Sequence, residues 1–287
     1  MYLSQHPNLF LPAQKETEFF YRDDRFQRGG DWYLETYFSS AKESQILGEV
    51  CPQYMFSEAV PERIHRIFPC TKIVFILRDP VSRAYSHYRM SVRRGRETRS
   101  FERVLDDELK VGAVCDRSRE PDYGYVHFGE YGRIVGAYMK VFPSHQMRVV
   151  FTEDFVLDQR AVTLDMIAWL GADPGLLPDR ALEKTYNVGG ERRFRAVDRL
   201  IRGGRFVKRT ARAVLGESKY NRLWLWWELE ATVARSRGAG IDPAQSDRLQ
   251  RHYSRDVACL EQLLGRRTPW ARFHGGELSG QSEGRSR

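Results

Sequence analysis

Cysteine is scarce in this sequence, which has four in 287 residues, at positions 51, 70, 115 and 259, and no C-x-x-C pair. Such spacing argues against a zinc site and against a disulfide framework, so we expect no metal to take part in function. Cys70 and Cys259 stand among apolar residues and are predicted to be buried thiols. Unpaired thiols are typical of proteins from a reducing compartment.

Long hydrophobic runs are also lacking. No apolar stretch reaches the roughly 18 residues of a membrane-spanning helix, and no signal-peptide pattern occurs. The G-x-x-x-x-G-K-[ST] loop of nucleoside-phosphate kinases is missing, and no nucleic-acid-binding module is recognisable. We therefore expect a cytoplasmic protein whose partners do not include nucleic acid.

Positive charge, by contrast, is abundant, with a net charge of +8 and an isoelectric point near 9.4. This excess favours anionic partners, such as a nucleotide, an acidic or sulfated glycan, or a membrane surface. Arginine outnumbers lysine 38 to 8. Bidentate binding of phosphate would explain that bias, and so would the GC-rich DNA of a bacterial source. The composition alone does not decide whether phosphate binding or GC-rich DNA caused the excess of arginine.

Hydrophobic periodicity predicts an α/β fold. Three short β-rich runs, at 45–50, 72–77 and 147–151, are separated by amphipathic stretches, which is the pattern of a parallel β-sheet flanked by helices. The run 72–77 is apolar after its first residue, as expected for a central strand buried on both faces. Helices are predicted at 58–67, 80–95, 100–110, 130–142, 161–170 and 244–264. The helix at 130–142 has one apolar stripe, formed by Ile134, Val135, Tyr138, Met139 and Phe142.

Two segments differ from this pattern. Residues 196–240 mix basic with apolar residues and include the run Leu-Trp-Leu-Trp-Trp at 223–227. They are predicted to form an amphipathic helical insert packed on the domain, with peripheral membrane contact through 196–227 as the alternative. Residues 274–287 are rich in glycine and serine and are predicted to be a disordered tail. The remainder, 1–273, is predicted to be one domain.

The strongest candidate site is the turn after the second predicted strand. Arg78 and Asp79 follow that strand, and Pro80 suits the first position of a helix. Arg78 is thereby placed at the carboxyl end of a parallel strand, where open α/β sheets bind ligands. Ser86 comes about two helical turns later, and an arginine, a hydroxyl and a helix start together suit a phosphate. A local Arg78–Asp79 ion pair, with Ser86 as a surface cap, is the alternative.

This segment, Arg-Asp-Pro-x-x-Arg-x-x-Ser at 78–86, resembles the 3′-phosphate-binding segment of the sulfotransferase superfamily. Further matches follow in order at 2–12, 15–20, 31–33, 48–54, 129–131 and 264–270, and they resemble the Golgi heparan-type enzymes and their bacterial relatives. The resemblance covers about residues 1 to 273. It implies a P-loop-kinase-like fold and, as donor co-substrate, 3′-phosphoadenosine 5′-phosphosulfate (PAPS). Arg78 and Ser86 would bind its 3′-phosphate.

The resemblance also implies a catalytic base. Glu16, in the segment Lys-Glu-x-x-Phe-Phe at 15–20, matches the position of the base in heparan-type members. An acceptor hydroxyl must lose its proton as it attacks sulfur, and a carboxylate within hydrogen-bond reach can take that proton. Glu18 and Glu49 are the reserve candidates.

Two parts of the family pattern are loose or missing. The match at 187–193 is loose; it implies a loop that closes over the nucleotide, with Arg192 and Arg193 reaching phosphate. The Lys-x-Gly-Thr loop that holds the 5′-phosphosulfate does not occur, and Met1 falls inside the helix that should follow it. Loss of such a group typically costs about 10²–10³ in rate. We therefore expect this chain to lack the first strand and loop of the fold, and to be inactive or nearly so.

Several functional questions stay open from the sequence. The leading interpretation is a sulfotransferase acting on a hydroxyl or amine of an acceptor. A carbohydrate is the favoured acceptor, and a lipid or a small natural product is the alternative. A catalytically inactive, sulfotransferase-like binding protein is the competing hypothesis. The Golgi lumen replaces the cytoplasm as the expected location if an N-terminal anchor has been lost.

Overall fold

The computed structural model describes residues 2–110, 124–182 and 240–274, together with the backbone of two short strands at 191–192 and 232–233. The chain divides into two compact units. The first comprises Met1–Thr17, Asp31–Cys51 and Ile167–Gly240, and the second comprises Glu18–Gly30, Pro52–Met166 and Ile241–Arg287. Most of the predicted insert at 196–240, and the predicted tail after His274, lie outside the described residues.

The described helices and strands follow the predicted order, with additions. They are β1 (Leu9–Phe10), α1 (Asp23–Phe26), α2 (Gly29–Phe38), β2 (Ile46–Leu47), α3 (Val60–Ile67), β3 (Ile73–Leu77), α4 (Pro80–Arg93), α5 (Phe101–Glu108), α6 (Tyr131–Met139), β4 (Met147–Phe151), α7 (Thr152–Leu157), α8 (Gln159–Leu170), β5 (Glu191–Arg192), β6 (Thr232–Val233) and α9 (Pro243–Leu264).

The start of the chain differs from the predicted helix. Leu3–Gln5 forms a single 3₁₀ turn, which ends at His6 in an extended conformation. A residue before proline disfavours the helical region, and Pro7 follows directly. The His6 ring is buried and its Nε2 lies 2.8 Å from the Asp173 carbonyl oxygen. The chain then enters β1, a strand that sequence patterns did not indicate, which pairs in parallel with β2.

The second unit contains the predicted pair of parallel strands. β3 and β4 pair in parallel over their full length, from Ile73 opposite Met147 to Leu77 opposite Phe151, which confirms that part of the prediction. Burial of β3 on both faces is wrong, because Ile76 is 58% exposed while Phe75 and Leu77 are buried. Successive side chains of a strand point to opposite faces. Among the described residues of β3, the face of Phe75 and Leu77 is buried, whereas Val74 on the other face is only half-buried.

Helices α6 and α9 pack closely against each other in the second unit. The predicted apolar stripe of α6 is buried, and α9 buries Leu249, Tyr253, Val257 and Leu260 at helical spacing. Gly132 permits the close approach, since a side chain there would run into the Asp256 carbonyl of α9. The Asp256 carboxylate accepts hydrogen bonds from the Gly132 and Arg133 amides at 2.8 and 2.9 Å, so α9 supplies the cap of α6.

A cluster of charged side chains surrounds Glu130, directly before α6. Its carboxylate accepts from Arg133 Nε at 2.9 Å and lies 3.2 Å from His127 Nδ1 and 3.1 Å from His252 Nε2. Burial alone would raise the pKa of Glu130, but the hydrogen bonds from the two histidines, together with the charges of His127 and Arg133, outweigh it and lower that pKa. The same hydrogen bond to Glu130 raises the pKa of His127.

Cysteine burial was predicted wrongly. Cys70 and Cys259 are both exposed, because Cys70 lies in the turn between α3 and β3 and Cys259 lies on the solvent side of α9. Among the described helices, none has the length and apolar composition needed to cross a membrane.

Candidate functional site

The turn between β3 and α4 has the predicted form. Pro80 is at the first position of α4, and Asp79 is the N-cap, whose Oδ1 accepts a hydrogen bond from the Ser82 amide at 2.7 Å. An aspartate at this position satisfies an amide that has no partner within the helix. The turn therefore places Arg78 between the carboxyl end of a parallel strand and the start of a 14-residue helix.

Asp79 is bound on three sides, and none of its partners is Arg78. Its Oδ2 lies 3.0 Å from Nε of Arg272, near the end of the described chain. Its amide donates to Oε1 of Glu153, on α7, at 3.2 Å. The alternative of a local Arg78–Asp79 ion pair is therefore wrong, because the carboxylate is already taken.

Arg78 itself is anchored through its backbone and leaves its side chain exposed. The buried Tyr131 hydroxyl forms a hydrogen bond with the Arg78 backbone, and burial raises the pKa of that tyrosine to about 12. Within the described ranges, no carboxylate pairs with the Arg78 guanidinium and no group hydrogen-bonds the exposed Ser86 hydroxyl. Ser86 lies inside α4, so it is not a cap. Both side chains predicted to bind phosphate are thus available to a ligand.

The middle arginine of the motif has a structural role. Arg83 donates to the Tyr125 carbonyl, and its guanidinium carbon lies 5.6 Å from the centre of the Phe128 ring. It therefore holds the loop before α6 against α4. Ser86 lies seven residues after Asp79 along α4, which corresponds to a helical rise of about 10 Å between the two.

Glu16, the predicted base, lies in the first unit on unusual backbone. Its φ is 56° and that of Glu18 is 53°, and these are the non-glycine residues with positive φ among those described. Such a conformation is disfavoured for glutamate and is commonly stabilised by surrounding contacts at functional sites. The Glu16 side chain is exposed, and its amide donates to the Val50 carbonyl at 3.3 Å.

A hydrogen-bond network lies beside Glu16. Thr17 is fully buried, and its hydroxyl donates to Oε2 of Glu49 at 2.5 Å. Tyr33, also buried, forms a hydrogen bond with Glu49; burial first, and the Glu49 charge second, raise the pKa of Tyr33. Glu49 thus accepts hydrogen bonds from the hydroxyls of Thr17 and Tyr33. The first of these bonds holds Thr17, the residue next to Glu16, in place.

The three candidate carboxylates differ in their surroundings. Glu16 is exposed, whereas Glu49 is half-buried in the Thr17 and Tyr33 network. Glu18, assigned to the second unit, lies 3.7 Å from Arg25. The structure thus places Glu16 in one unit and Arg78 with Ser86 in the other.

The remaining predicted site residues are described only in part or not at all. Arg192 belongs to β5, which pairs antiparallel with β6. Its side chain, Arg193 and the adjoining glycines lie outside the described residues, so the prediction of a nucleotide-covering loop stays a prediction.

Sequence patterns missed Glu153 and Arg272, which bind Asp79. Glu153 had a detectable signal, because it lies two residues after the end of β4 and the carboxyl ends of parallel strands share one edge. Arg272 lies two residues after Trp270 and had no local signal.

Comparison with known proteins gives a consistent result. The profile of a group described as "Sulfotransferase family" matches residues 3–174. The chain is 30% identical over 149 residues to human and mouse heparan sulfate glucosamine 3-O-sulfotransferase 5, covering 52% of this chain and 42% of theirs. It is 27% identical over 127 residues to the membrane-associated sulfotransferase kil1 of Dictyostelium discoideum, covering 42% of this chain and 26% of that protein. The matched part is thus less than half the length of these relatives.

A solved structure covers more of the chain. A sulfotransferase from Alicyclobacillus acidocaldarius superposes with a TM-score of 0.64 at 25% identity, covering 95% of this chain and 91% of that one.

Proposed function

Because this chain belongs to the Sulfotransferase family, we propose that it transfers a sulfuryl group from PAPS to a hydroxyl or amine of an acceptor. The family and the α/β sulfotransferase fold predicted from sequence are both confirmed. The choice of donor, the acceptor and the roles of individual residues are the content of the proposal.

The proposal depends on the Arg78 side chain. It is exposed beside the start of α4, and its neighbour Asp79 is held by Arg272 and Glu153 instead. A guanidinium is a strong donor to phosphate oxygens, and the positive end of a helix favours an anion. The residues present therefore fit the 3′-phosphate of PAPS. The Ser86 hydroxyl, about two turns along α4, is a second hydrogen-bond donor.

PAPS, when bound, supplies an activated sulfuryl group attached to its 5′-phosphate. The acceptor oxygen or nitrogen forms a bond to sulfur as the bond from sulfur to the phosphate oxygen breaks, and the electron pair leaves on that phosphate. The products are the sulfated acceptor and adenosine 3′,5′-bisphosphate. This chain must bind and orient both reactants and remove one proton.

Glu16 is proposed to take that proton. It is the exposed member of the three candidate carboxylates, and the Thr17–Glu49 hydrogen bond at 2.5 Å restrains its neighbour. A carboxylate held in one place accepts a proton without first having to be ordered. The disfavoured φ of 56° at Glu16 is consistent with a position maintained for chemistry.

A carbohydrate is the proposed acceptor class. The net charge of +8 suits an acidic glycan, and the relatives whose names state a substrate act on heparan sulfate glucosamine. The chain itself is not thereby limited to that polymer.

Transfer of label from PAPS with radioactive sulfur tests this function. The purified chain is incubated with a panel of acceptors: heparan-type glycan, neutral oligosaccharide, glycolipid and small phenols. We expect a labelled carbohydrate, formed slowly because no Lys-x-Gly-Thr loop occurs in the sequence, and about 10²–10⁴ less of it from Glu16→Gln under the same conditions.

Binding of adenosine 3′,5′-bisphosphate, measured separately by calorimetry, distinguishes the ways this could fail. Binding without transfer to any acceptor would favour a nucleotide-binding protein in place of the enzyme. Absence of both binding and transfer would refute the proposal.

A further inference from the structure

The carboxylate of Asp79 lies where the proposed site needs positive potential. Asp79 directly follows Arg78 and caps the start of α4 through the Ser82 amide. The start of a helix is also where a bound anion gains most from the helix dipole. A carboxylate at this position would repel a phosphate group, and the repulsion is strong across a few ångströms of partly buried protein.

Arg272 is placed to cancel that charge. Its Nε lies 3.0 Å from Asp79 Oδ2, and the two side chains are only 33% and 13% exposed. Its Nη1 donates to Ser246 Oγ at 3.0 Å, and its carbonyl accepts from Gln250 Nε2 at 2.6 Å. Two contacts with α9 thus aim this guanidinium at Asp79.

We propose that Arg272 is a charge-compensating residue of the donor site: it neutralises the helix-capping Asp79, so that the phosphate of the donor can approach Arg78. This inference rests on the proposed function. Arg272 acts through Asp79 and is a positioning residue, with no contact to the phosphate required.

The surrounding segment does not depend on the ion pair for its attachment. Trp270 is 3% exposed, with ring centres 5.8 Å from Tyr131 and 5.3 Å from Phe151. Thr268 and His274 both hydrogen-bond to Glu261. Removal of the Arg272 side chain should therefore leave the segment in place and change mainly the charge beside Arg78.

The experiment is a double-mutant cycle read by binding of adenosine 3′,5′-bisphosphate. Arg272→Ala should weaken binding about 3- to 10-fold at low ionic strength. Asp79→Asn keeps a good N-cap residue and removes the charge, so Arg272→Ala combined with Asp79→Asn should return within about twofold of the wild-type affinity. Arg272→Lys, which keeps the charge, should lose little.

Two controls separate charge compensation from other effects. Arg255→Ala removes an exposed arginine of α9 and should leave the affinity unchanged within about twofold, because the charge of a solvent-exposed side chain is screened. Raising the salt concentration should shrink the loss in Arg272→Ala.

Two results would overturn the inference while leaving the proposed function intact. One is wild-type affinity in Arg272→Ala, and the other is a double variant that binds as weakly as Arg272→Ala. If the wild-type chain does not bind the nucleotide at all, the donor site is refuted and the inference with it.

Discussion

The turn that carries Arg78 and the segment that carries Glu16 reach their shapes by different means. In the turn, a strand, an N-cap aspartate and a proline at the first helical position follow one another in their usual order. In the segment, two glutamates adopt positive φ on either side of a buried threonine. Glutamate disfavours that conformation, so contacts of the surrounding residues, such as Thr17 with Glu49 and Glu18 with Arg25, have to maintain it.

This difference predicts different responses to mutation. The turn has backbone that its own sequence favours, so changes there should alter the charge and hydrogen bonds offered to a phosphate and little else. The segment depends on hydrogen bonds with residues far away along the chain, such as Glu49, so changes in that network should affect both stability and proton transfer.

The largest effect is expected from Glu16→Gln. Removal of a general base should lower the rate of sulfuryl transfer by about 10²–10⁴. The affinity for adenosine 3′,5′-bisphosphate should stay within about twofold of wild type, because the amide keeps the size of the side chain. Rates and binding constants measured on the same preparation check this. Equal rates for variant and wild type would show that Glu16 is not the general base. Glu18→Gln and Glu49→Gln would then be the next variants to test.

Arg78→Ala, in the turn between β3 and α4, should give the next largest effect. Loss of a charge-assisted bidentate contact should weaken nucleotide binding about 10- to 100-fold. The free energy of unfolding should change little, since the side chain is exposed and no described carboxylate pairs with it. Calorimetry with Arg255→Ala as the matched control measures this. A similar loss in both variants would indicate general electrostatic attraction instead of a site.

Thr17→Val tests the support of the Glu16 segment. Valine fills the same space but cannot donate to Glu49, so the half-buried carboxylate loses a partner. We expect a loss of about 1–3 kcal/mol in the free energy of unfolding and slower transfer, with nucleotide affinity unchanged. Urea unfolding compared with Thr98→Val, at an exposed threonine, provides the control. An unaltered stability would show that the network does not hold this segment.

The smallest effect is a pH dependence in the unit that contains the Arg78 turn. Glu130 has a lowered pKa, so its stabilising effect is present above its ordinary value of 4.5 and is lost as the pH falls further. His127 has a raised pKa, so its contribution is complete below 6.5 and is lost as the pH rises through the folded value. Wild type and Glu130→Gln should therefore differ most, by about 1–2 kcal/mol, between these limits.

Urea unfolding at three pH values measures that dependence, one value within the window and one on either side. A difference between wild type and variant that does not vary with pH would contradict the assignment of these two groups.

The parts that the sequence predicted well are those with local causes. The Arg78 turn, the parallel pairing of β3 with β4 and the buried stripe of α6 all follow from neighbouring residues and periodicity. The ion pair of Asp79 with Arg272 joins residues far apart in the chain, so no window of sequence contains both. The exposure of Ile76 and Cys70 depends on what covers each surface, and composition does not state that.

The Glu16 segment shows a further limit. Its motif was recognised by resemblance, but glutamate has no preference for positive φ that would have revealed the backbone conformation. The short strand β1 was missed because two residues carry no periodicity.

Comparison of two nucleotides tests the central claim most directly. Calorimetric titration of the wild-type chain with adenosine 3′,5′-bisphosphate and with adenosine 5′-phosphate measures what the 3′-phosphate contributes. If Arg78 and the start of α4 bind that phosphate, the bisphosphate should bind at least about tenfold more tightly. Equal affinities for the two nucleotides would contradict the assignment of the donor site.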